Sequence, residues 1–167
     1  MFLTLTTGCS VLHENKNLQK ELNNLNREII SNFTIALLKD PDNFLFYLER
    51  GKAKHAYGDY IGAIQDFNNS FKINPDIKVI FHIANSKYAY GDHKGAISDY
   101  QKLILIKDFE DQVFYNIANS KLILLAYSEA IENYTKSIEY NQDNEYSFLN
   151  RGNAKFKISD YLGSIKD

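Results

Sequence analysis

The sequence repeats itself at an interval of about 34 residues, and this periodicity restricts the fold more than any other feature. One unit, residues 50–75, reads RGKAKHAYGDYIGAIQDFNNSFKINP. Its first small residue, Gly51, returns in three later units, as Ala84, Ala118 and Gly152. A period of this length, with small residues on both sides of a turn, is typical of a two-helix unit that stacks on its own copies. The chain is therefore predicted to be all-α.

These repeated positions resemble tetratricopeptide repeats (TPRs) over residues 44–167. The resemblance rests on small residues in both helices of each unit, on an aromatic residue in the second helix and on a closing Asn-Pro: Gly51, Ala84, Ala118, Gly152, Ala63, Ala96, Ala130, Ser164, Phe67, Tyr100, Tyr134 and Asn74-Pro75. It implies an α-solenoid of four helix-turn-helix units, of which the last is short: 44–76, 77–110, 111–144 and 145–167. A fold of this kind does not by itself specify a task.

The chain before the repeats divides into three parts of different composition. Residues 1–9 are apolar, small and uncharged, and residues 10–26 are predicted to be a polar linker or the start of a helix. Residues 27–43 form an amphipathic pattern that ends near Pro41, which occupies the position equivalent to Pro75 one repeat earlier. This segment is therefore predicted to cap the array as the second helix of a degenerate repeat.

The segment LTTGCS at residues 5–10 resembles the end of a bacterial lipoprotein signal, in which the peptide is cut before a cysteine that then carries lipid. The resemblance implies lipidation of Cys9 and a location at the bacterial envelope if the true start lies upstream. The alternative is a cytoplasmic protein with an ordinary N-terminus.

Composition excludes several classes of function. The chain has 167 residues, of which 44% are hydrophobic, so one domain can bury a core. The formal net charge is −2 with basic residues spread evenly, and nucleic-acid binding, which needs a clustered positive surface, is not predicted. No run of apolar residues is long enough to span a membrane. Cys9 is the single cysteine, so no internal disulfide forms.

No motif for catalysis or for a cofactor is present. The sequence contains no nucleophile elbow, no phosphate-binding glycine loop and no paired cysteines, so neither an enzyme nor a bound cofactor is predicted. His55 and His82 could face the same groove beside Glu49, but nothing supplies a third metal ligand and an open position. No metal site is predicted.

Turn residues predict where the helices begin and end. First helices are expected at about 44–57, 78–90, 111–124 and 145–157, and second helices at about 60–73, 93–106, 127–140 and from 160. Glycine, which tolerates positive φ, ends two first helices at Gly58 and Gly91. Aspartates are expected to cap the helices that follow: Asp59, Asp92 and Asp160. The third unit has Leu125-Ala126 instead of Gly-Asp, so a strained or differently shaped turn that costs about 1 kcal/mol is expected there.

Two further sets of residues, which we call columns, recur at equivalent positions of the units near the packing side. Lysines of the first helices are expected to meet polar residues of the second helices, which predicts ion pairs with a structural role; the two columns are Lys54, Lys87, Lys121, Lys155 and Asp66, Asp99, Asn133, Asp167.

Polar and aromatic residues recur on the side of the first helices that faces away from the packing positions. An asparagine offers one acceptor and two donors, so a column of asparagines can pair with an extended peptide backbone whatever its side chains are. The TPR resemblance places these positions in a concave groove that binds a protein or peptide. The candidate residues are Asn85, Asn116, Asn119, Asn150, Asn153, His82, Phe81, Tyr88, Tyr115 and Tyr146.

A second interpretation concerns the C-terminal end. Residues 145–167 contain only part of a repeat, so Phe148, Leu149 and Phe156 are expected to be partly uncovered. Uncovered apolar faces tend to contact another chain. The alternative to a peptide-binding scaffold is thus a structural piece of a larger TPR array, or a homo-oligomer that assembles through this end.

Overall fold

The structure is a computed structural model that describes residues 4–106 and 110–167, with side chains from residue 15 onward. The side chain of Cys9, the predicted lipidation site, lies outside the described residues. The described ranges contain nine helices and no strand: α1 Thr4–Lys39, α2 Phe44–Tyr57, α3 Tyr60–Ile73, α4 Lys78–Tyr90, α5 His93–Gln101, α6 Glu110–Ile123, α7 Tyr127–Tyr140, α8 Glu145–Lys157 and α9 Tyr161–Lys166. No helix of the described part is long and apolar enough to cross a bilayer.

Each helix packs on the helices that precede and follow it in sequence, and α2 also touches α4 while α6 touches α8. This pattern is that of a solenoid, because every unit contacts its neighbours alone. The predicted all-α solenoid is confirmed. The predicted end of α5 at residue 106 is wrong: the helix ends at Gln101. Turns follow it, and they place Leu103 in the core with Tyr100 and Val113.

The core consists of small residues on one helix facing aromatic rings on another. Ala63, Ala96 and Ala130 are completely buried, as is Tyr134. At Gly51 an added Cβ would lie 2.7 Å from the ring of Phe67. The small residues therefore let the helices approach closely enough for the rings to fill the space between them.

The turns within the units follow the predicted pattern. Gly58 and Gly91 have φ values of 95° and 96°, the left-handed conformation that glycine adopts without steric cost. The side chains of Asp59, Asp92 and Asp160 each accept a hydrogen bond from the backbone N–H three residues later. These caps satisfy donors that have no partner within the helix.

The strained turn predicted in the third unit is confirmed. Leu125 has a φ of 62°, and Ala126 provides no side-chain cap for α7. The side chain of Leu125 is 68% exposed, so it contributes little packing in return for the strain. A second non-glycine residue with positive φ, Ser159, precedes α9.

Restoring Gly-Asp at this turn is expected to stabilise the protein. The variant Leu125→Gly with Ala126→Asp removes a left-handed leucine and adds an N-cap, so the free energy of unfolding should rise by about 1 to 2 kcal/mol. Chemical denaturation followed by circular dichroism measures the change. Leu124→Gly is the matched control, because Leu124 does not have a positive φ, and that variant should not be stabilised.

The lysine column pairs with its predicted partners in three units. Lys54 contacts Asp66 at 2.8 Å, and equivalent pairs join Lys87 to Asp99 at 2.6 Å and Lys155 to Asp167 at 2.8 Å. The third unit differs because its residue at this position is Asn133, whose amide carries no negative charge. Lys121 pairs with Glu129 instead, and Asn133 donates to the backbone oxygen of Glu129.

The C-terminal half of α1 occupies the place of a second helix in front of α2. Arg50 links Thr34 of α1, at 3.2 Å, to Asp66 of α3, at 2.7 and 2.8 Å. The same arrangement recurs three units later, where Arg151 links Thr135 of α7 to Asp167. One continuous helix thus covers the segments predicted as polar linker and as cap.

Candidate functional site

The first helices of consecutive units form one continuous surface, which we call the first-helix face and which consists of α2, α4, α6 and α8. Asparagine side chains join α4 to α6 and α6 to α8. Asn116 Nδ2 of α6 donates to Asn85 Oδ1 of α4 at 3.5 Å, and Asn150 Nδ2 of α8 donates to Asn119 Oδ1 of α6 at 3.2 Å. Four of the predicted asparagines therefore lie together as two pairs across unit boundaries.

A buried tyrosine holds the first member of each asparagine pair. The hydroxyl of Tyr100 donates to Asn85 Oδ1 at 2.5 Å, and the hydroxyl of Tyr134 donates to Asn119 Oδ1 at 2.6 Å. Both rings are buried in the core. The cores of the second and third units thus determine how an amide on the first-helix face is oriented.

The phenols of Tyr100 and Tyr134 act as donors to the two amides. Burial raises the pKa of Tyr100 and of Tyr134 far above the usual value. A phenol that stays protonated can donate, and the amide oxygen is the acceptor that it meets. The Oδ1 atoms of Asn85 and Asn119 are therefore occupied. No hydrogen bond within the described residues uses their Nδ2 groups. The two asparagines were expected to offer a peptide both an acceptor and donors, but only their Nδ2 donors remain available.

Two histidines line a small cavity at the N-terminal part of the first-helix face. The cavity measures about 140 Å³ and is bordered by Lys52, His55, Phe67, His82 and Asn85. The ring of His82 stacks on Phe67, with centroids 5.3 Å apart. Burial lowers the pKa of His82, and the positive charge of Lys52 lowers it further. The site is therefore lined by a neutral imidazole near pH 7.

The other histidine has a defined hydrogen bond. Ser86 Oγ donates to the backbone oxygen of His82 at 2.9 Å, so the Nδ1 of His55, 2.9 Å from the same Oγ, is the donor in their contact. Burial lowers the pKa of His55. Among the described residues, no group of three or more histidine, cysteine or acidic side chains is arranged to hold a metal ion.

Solved structures with this arrangement of helices are TPR proteins. MamA from Desulfovibrio magneticus RS-1 has a TM-score of 0.78 at 12% identity, over 90% of this chain and 87% of that one. YrrB, described as a TPR protein with an unusual peptide-binding site, has a TM-score of 0.70 at 15% identity, over 95% and 87%. PilF from Pseudomonas aeruginosa has a TM-score of 0.70 at 13% identity, over 90% and 73%. The chain has the TPR fold.

This likeness is one of structure. No family model and no curated protein sequence matches the chain. At identities of 12%, 13% and 15%, the shared property is the TPR fold alone. Statements about what the chain binds therefore depend on its own residues.

The predicted aromatic residues of the first-helix face divide into packed and exposed groups. Phe81 and Tyr115 pack edge-on or tilted against the buried tyrosines of their units, at centroid distances of 5.9 and 6.0 Å. Tyr88 contacts His93 of α5 at 5.2 Å and is partly covered. Tyr146 is 71% exposed. The first three thus pack against neighbouring rings, whereas Tyr146 is largely exposed.

Asn153 is the one predicted asparagine that stands apart in this arrangement. It is exposed on α8, and no hydrogen bond to its side chain is found in the part of the chain that the structure describes. It borders an open cavity of about 450 Å³ together with Leu149, Gly152 and Asp167. The structure thus places the other four asparagines in pairs and leaves this one unpaired.

Tyr100 and Tyr134 were predicted as packing residues, and their hydrogen bonds to the asparagines were not predicted. A signal for these hydrogen bonds exists within the repeats. Both tyrosines follow an asparagine by 15 positions, whereas Phe67 of the first unit, which has no hydroxyl, follows Lys52 by the same spacing. A tyrosine in the second helix thus occurs with an asparagine in the first helix, and a phenylalanine occurs with a lysine. This is expected if the tyrosine and the asparagine share a hydrogen bond.

Proposed function

We propose that the chain is a protein-interaction scaffold whose first-helix face binds an extended segment of a partner protein. The observation that carries this proposal is the pair of amides, Asn85 and Asn119, which buried tyrosines hold with their Nδ2 donors unused. Donors fixed in this way, one unit apart, match the carbonyl oxygens of a peptide backbone.

Preorganisation gives these amides an advantage over freely rotating side chains. A surface asparagine must lose rotamer freedom when it binds, which reduces the free energy gained from the hydrogen bond. Here the orientation of the Asn119 amide is already set by Tyr134 and by Asn150 on the next unit. The ordering cost of such groups is therefore borne by folding and not by binding.

The length of the first-helix face supports the same class of ligand. With first helices about 8–10 Å apart, four units span about 24–30 Å. An extended peptide of about seven to nine residues covers that length.

The test replaces the outward-facing Nδ2 donors with acceptors and keeps the hydrogen bonds from the buried tyrosines. In Asn85→Asp with Asn119→Asp, each carboxylate still accepts from its tyrosine but presents an oxygen where the Nδ2 donor was. Short peptides selected from a random phage library against the unchanged protein, and long enough to span the face, serve as probes. Their affinity for the double variant, measured by fluorescence anisotropy, is expected to fall at least about tenfold.

The matched control carries the same added charge elsewhere. Asn68 and Asn69 are exposed on α3, and Asn68→Asp with Asn69→Asp should leave peptide affinity unchanged. Thermal unfolding confirms that both double variants are folded. Equal affinity for all three proteins, or a selection that yields no binding peptide, would contradict the proposal.

A second candidate function is assembly through the C-terminal end. Large apolar side chains are exposed on α8 and α9, among them Leu149, Phe156, Tyr161, Leu162 and Ile165. An open cavity beside Gly152 lies between these two helices. An exposed apolar surface of this kind is typical of a contact with another chain.

A further inference from the structure

The N-terminal half of α1 extends away from the repeats. Arg27 is the point at which the helix leaves the array, because its Nε donates to the hydroxyl of Tyr57, the last residue of α2, at 2.7 Å. Every side chain of residues 15–22 is exposed. The helical backbone begins at Thr4, about 34 Å before Arg27 along the helix axis. An α-helix without tertiary contacts is marginally stable in water, so a partner would stabilise it.

The exposed segment carries one apolar stripe. Leu18, Leu22 and Leu25 are 62%, 47% and 53% exposed, although leucine is ordinarily buried. Their spacings of four and three residues place them on one side of the helix, at the d, a and d positions of a heptad. The preceding a position is Asn15. We call these four residues the α1 seam.

We propose that the α1 seam pairs with the α1 seam of a second copy of this chain in a parallel two-stranded coiled coil. The leucines of the two helices would pack against each other across the seam. A single asparagine at an a position is the residue that specifies a parallel dimer, since the two Asn15 amides hydrogen-bond only when they meet at the same height. The seam thus encodes both the partner and its orientation.

The flanking charges disfavour the antiparallel arrangement. Glu21 and Glu28 occupy the g positions beside the seam. In an antiparallel pair the g positions of the two helices face each other, which would bring these glutamates together. In a parallel pair the two g positions lie on opposite sides of the seam, so these glutamates stay apart. Like-charge repulsion therefore selects against the antiparallel form.

The composition of the outer side disfavours a lipid surface as the occupant. Helices that lie on membranes carry an excess of lysine and arginine on the polar face. Here Lys16, Lys20 and Arg27 are balanced by acidic residues, including Glu21 and Glu28. A helix with a narrow leucine seam and mixed charges is typical of a coiled coil.

Sedimentation equilibrium on the full chain tests the pairing. Across about 5 to 300 µM, the unchanged protein is expected to shift from monomer towards dimer, and Leu18→Glu with Leu22→Glu should raise the dissociation constant at least about tenfold. These side chains lie outside the array, so the thermal unfolding of the repeats should not change. Lys16→Glu with Lys20→Glu is the matched control, because it adds two glutamates outside the seam and should retain the dimer.

Disulfide trapping tests the orientation. In a Cys9→Ser background, Leu18→Cys places thiols at the same height in a parallel pair, so oxidation should yield a covalent dimer. Lys20→Cys, on the outer side, should yield little.

Four outcomes would overturn the proposal. The first is a protein that stays monomeric at the highest concentration, and the second is equal disulfide trapping at positions 18 and 20. The third is a dimer that survives Leu18→Glu with Leu22→Glu and is lost in Leu162→Glu with Ile165→Glu, which would assign assembly to the C-terminal end. The fourth is a monomer that binds phosphatidylglycerol vesicles through the seam. Peptide capture by the first-helix face is independent of all four.

Discussion

Replacement of Asp66 by alanine is expected to lower the free energy of unfolding by about 3 to 5 kcal/mol. The carboxylate of Asp66 is almost fully buried and accepts two hydrogen bonds from Arg50, at 2.7 and 2.8 Å, while Lys54 lies 2.8 Å away. Alanine would leave two adjacent, mostly covered cations without a counter-charge. Because Arg50 also holds Thr34, the docking of α1 should weaken at the same time.

Urea denaturation of the full chain measures this loss, and an exposed ion pair supplies the control. Glu49 and Lys52 form a pair at 2.7 Å in which both side chains are 43% exposed. Glu49→Ala should change stability by less than about 1 kcal/mol, since water screens both charges. If Asp66→Ala were no more destabilising than Glu49→Ala, the ion pair between α2 and α3 would not hold the first unit together as the geometry indicates.

Truncation of Tyr134 to alanine is expected to cost about 3 to 5 kcal/mol, because it leaves a cavity at a completely buried position. Tyr134→Phe separates the hydroxyl from the ring. It keeps the ring, removes the bond to Asn119 Oδ1 and should cost about 1 kcal/mol.

A double-mutant cycle tests whether the tyrosine acts on the face through Asn119. Tyr134→Phe, Asn119→Ala and the combined variant should give a coupling energy of about 0.5 to 1.5 kcal/mol in the free energy of unfolding. Tyr140→Phe is the control, because Tyr140 is largely exposed and its ring stacks on Phe114. Additive effects at positions 134 and 119 would mean that the buried phenol does not hold the amide.

Local residue chemistry made much of the fold predictable. Gly58 and Gly91 adopt positive φ, and the aspartates that follow them cap α3 and α5, because these conformations depend on the residue and its immediate neighbours. Even the irregular turn at Leu125 was predictable, since a leucine there must take a conformation that glycine takes elsewhere. The end of α5 was not, because the tertiary position of Leu103 in the core decided it.

The candidate site could be predicted in position and not in chemistry. Helical periodicity indicated that Asn85 and Asn119 lie on the side of the first helices away from the packing positions. It could not reveal that their oxygens are occupied, because the partners, Tyr100 and Tyr134, come from the second helix of the unit. That these amides bind a peptide stays a prediction until the donor-inverting variants are measured.

The sequence by itself determined that the chain forms stacked helical pairs, since a period of about 34 residues with small residues at matching positions can bury its apolar surface only between copies of itself. Only the tertiary structure decided which polar groups remain available. A side chain's periodic position states which way it points, whereas its free donors depend on atoms brought near it by other helices. For this reason only the tertiary structure shows that, among the described residues, no group pairs with the Nδ2 donors of Asn85 and Asn119.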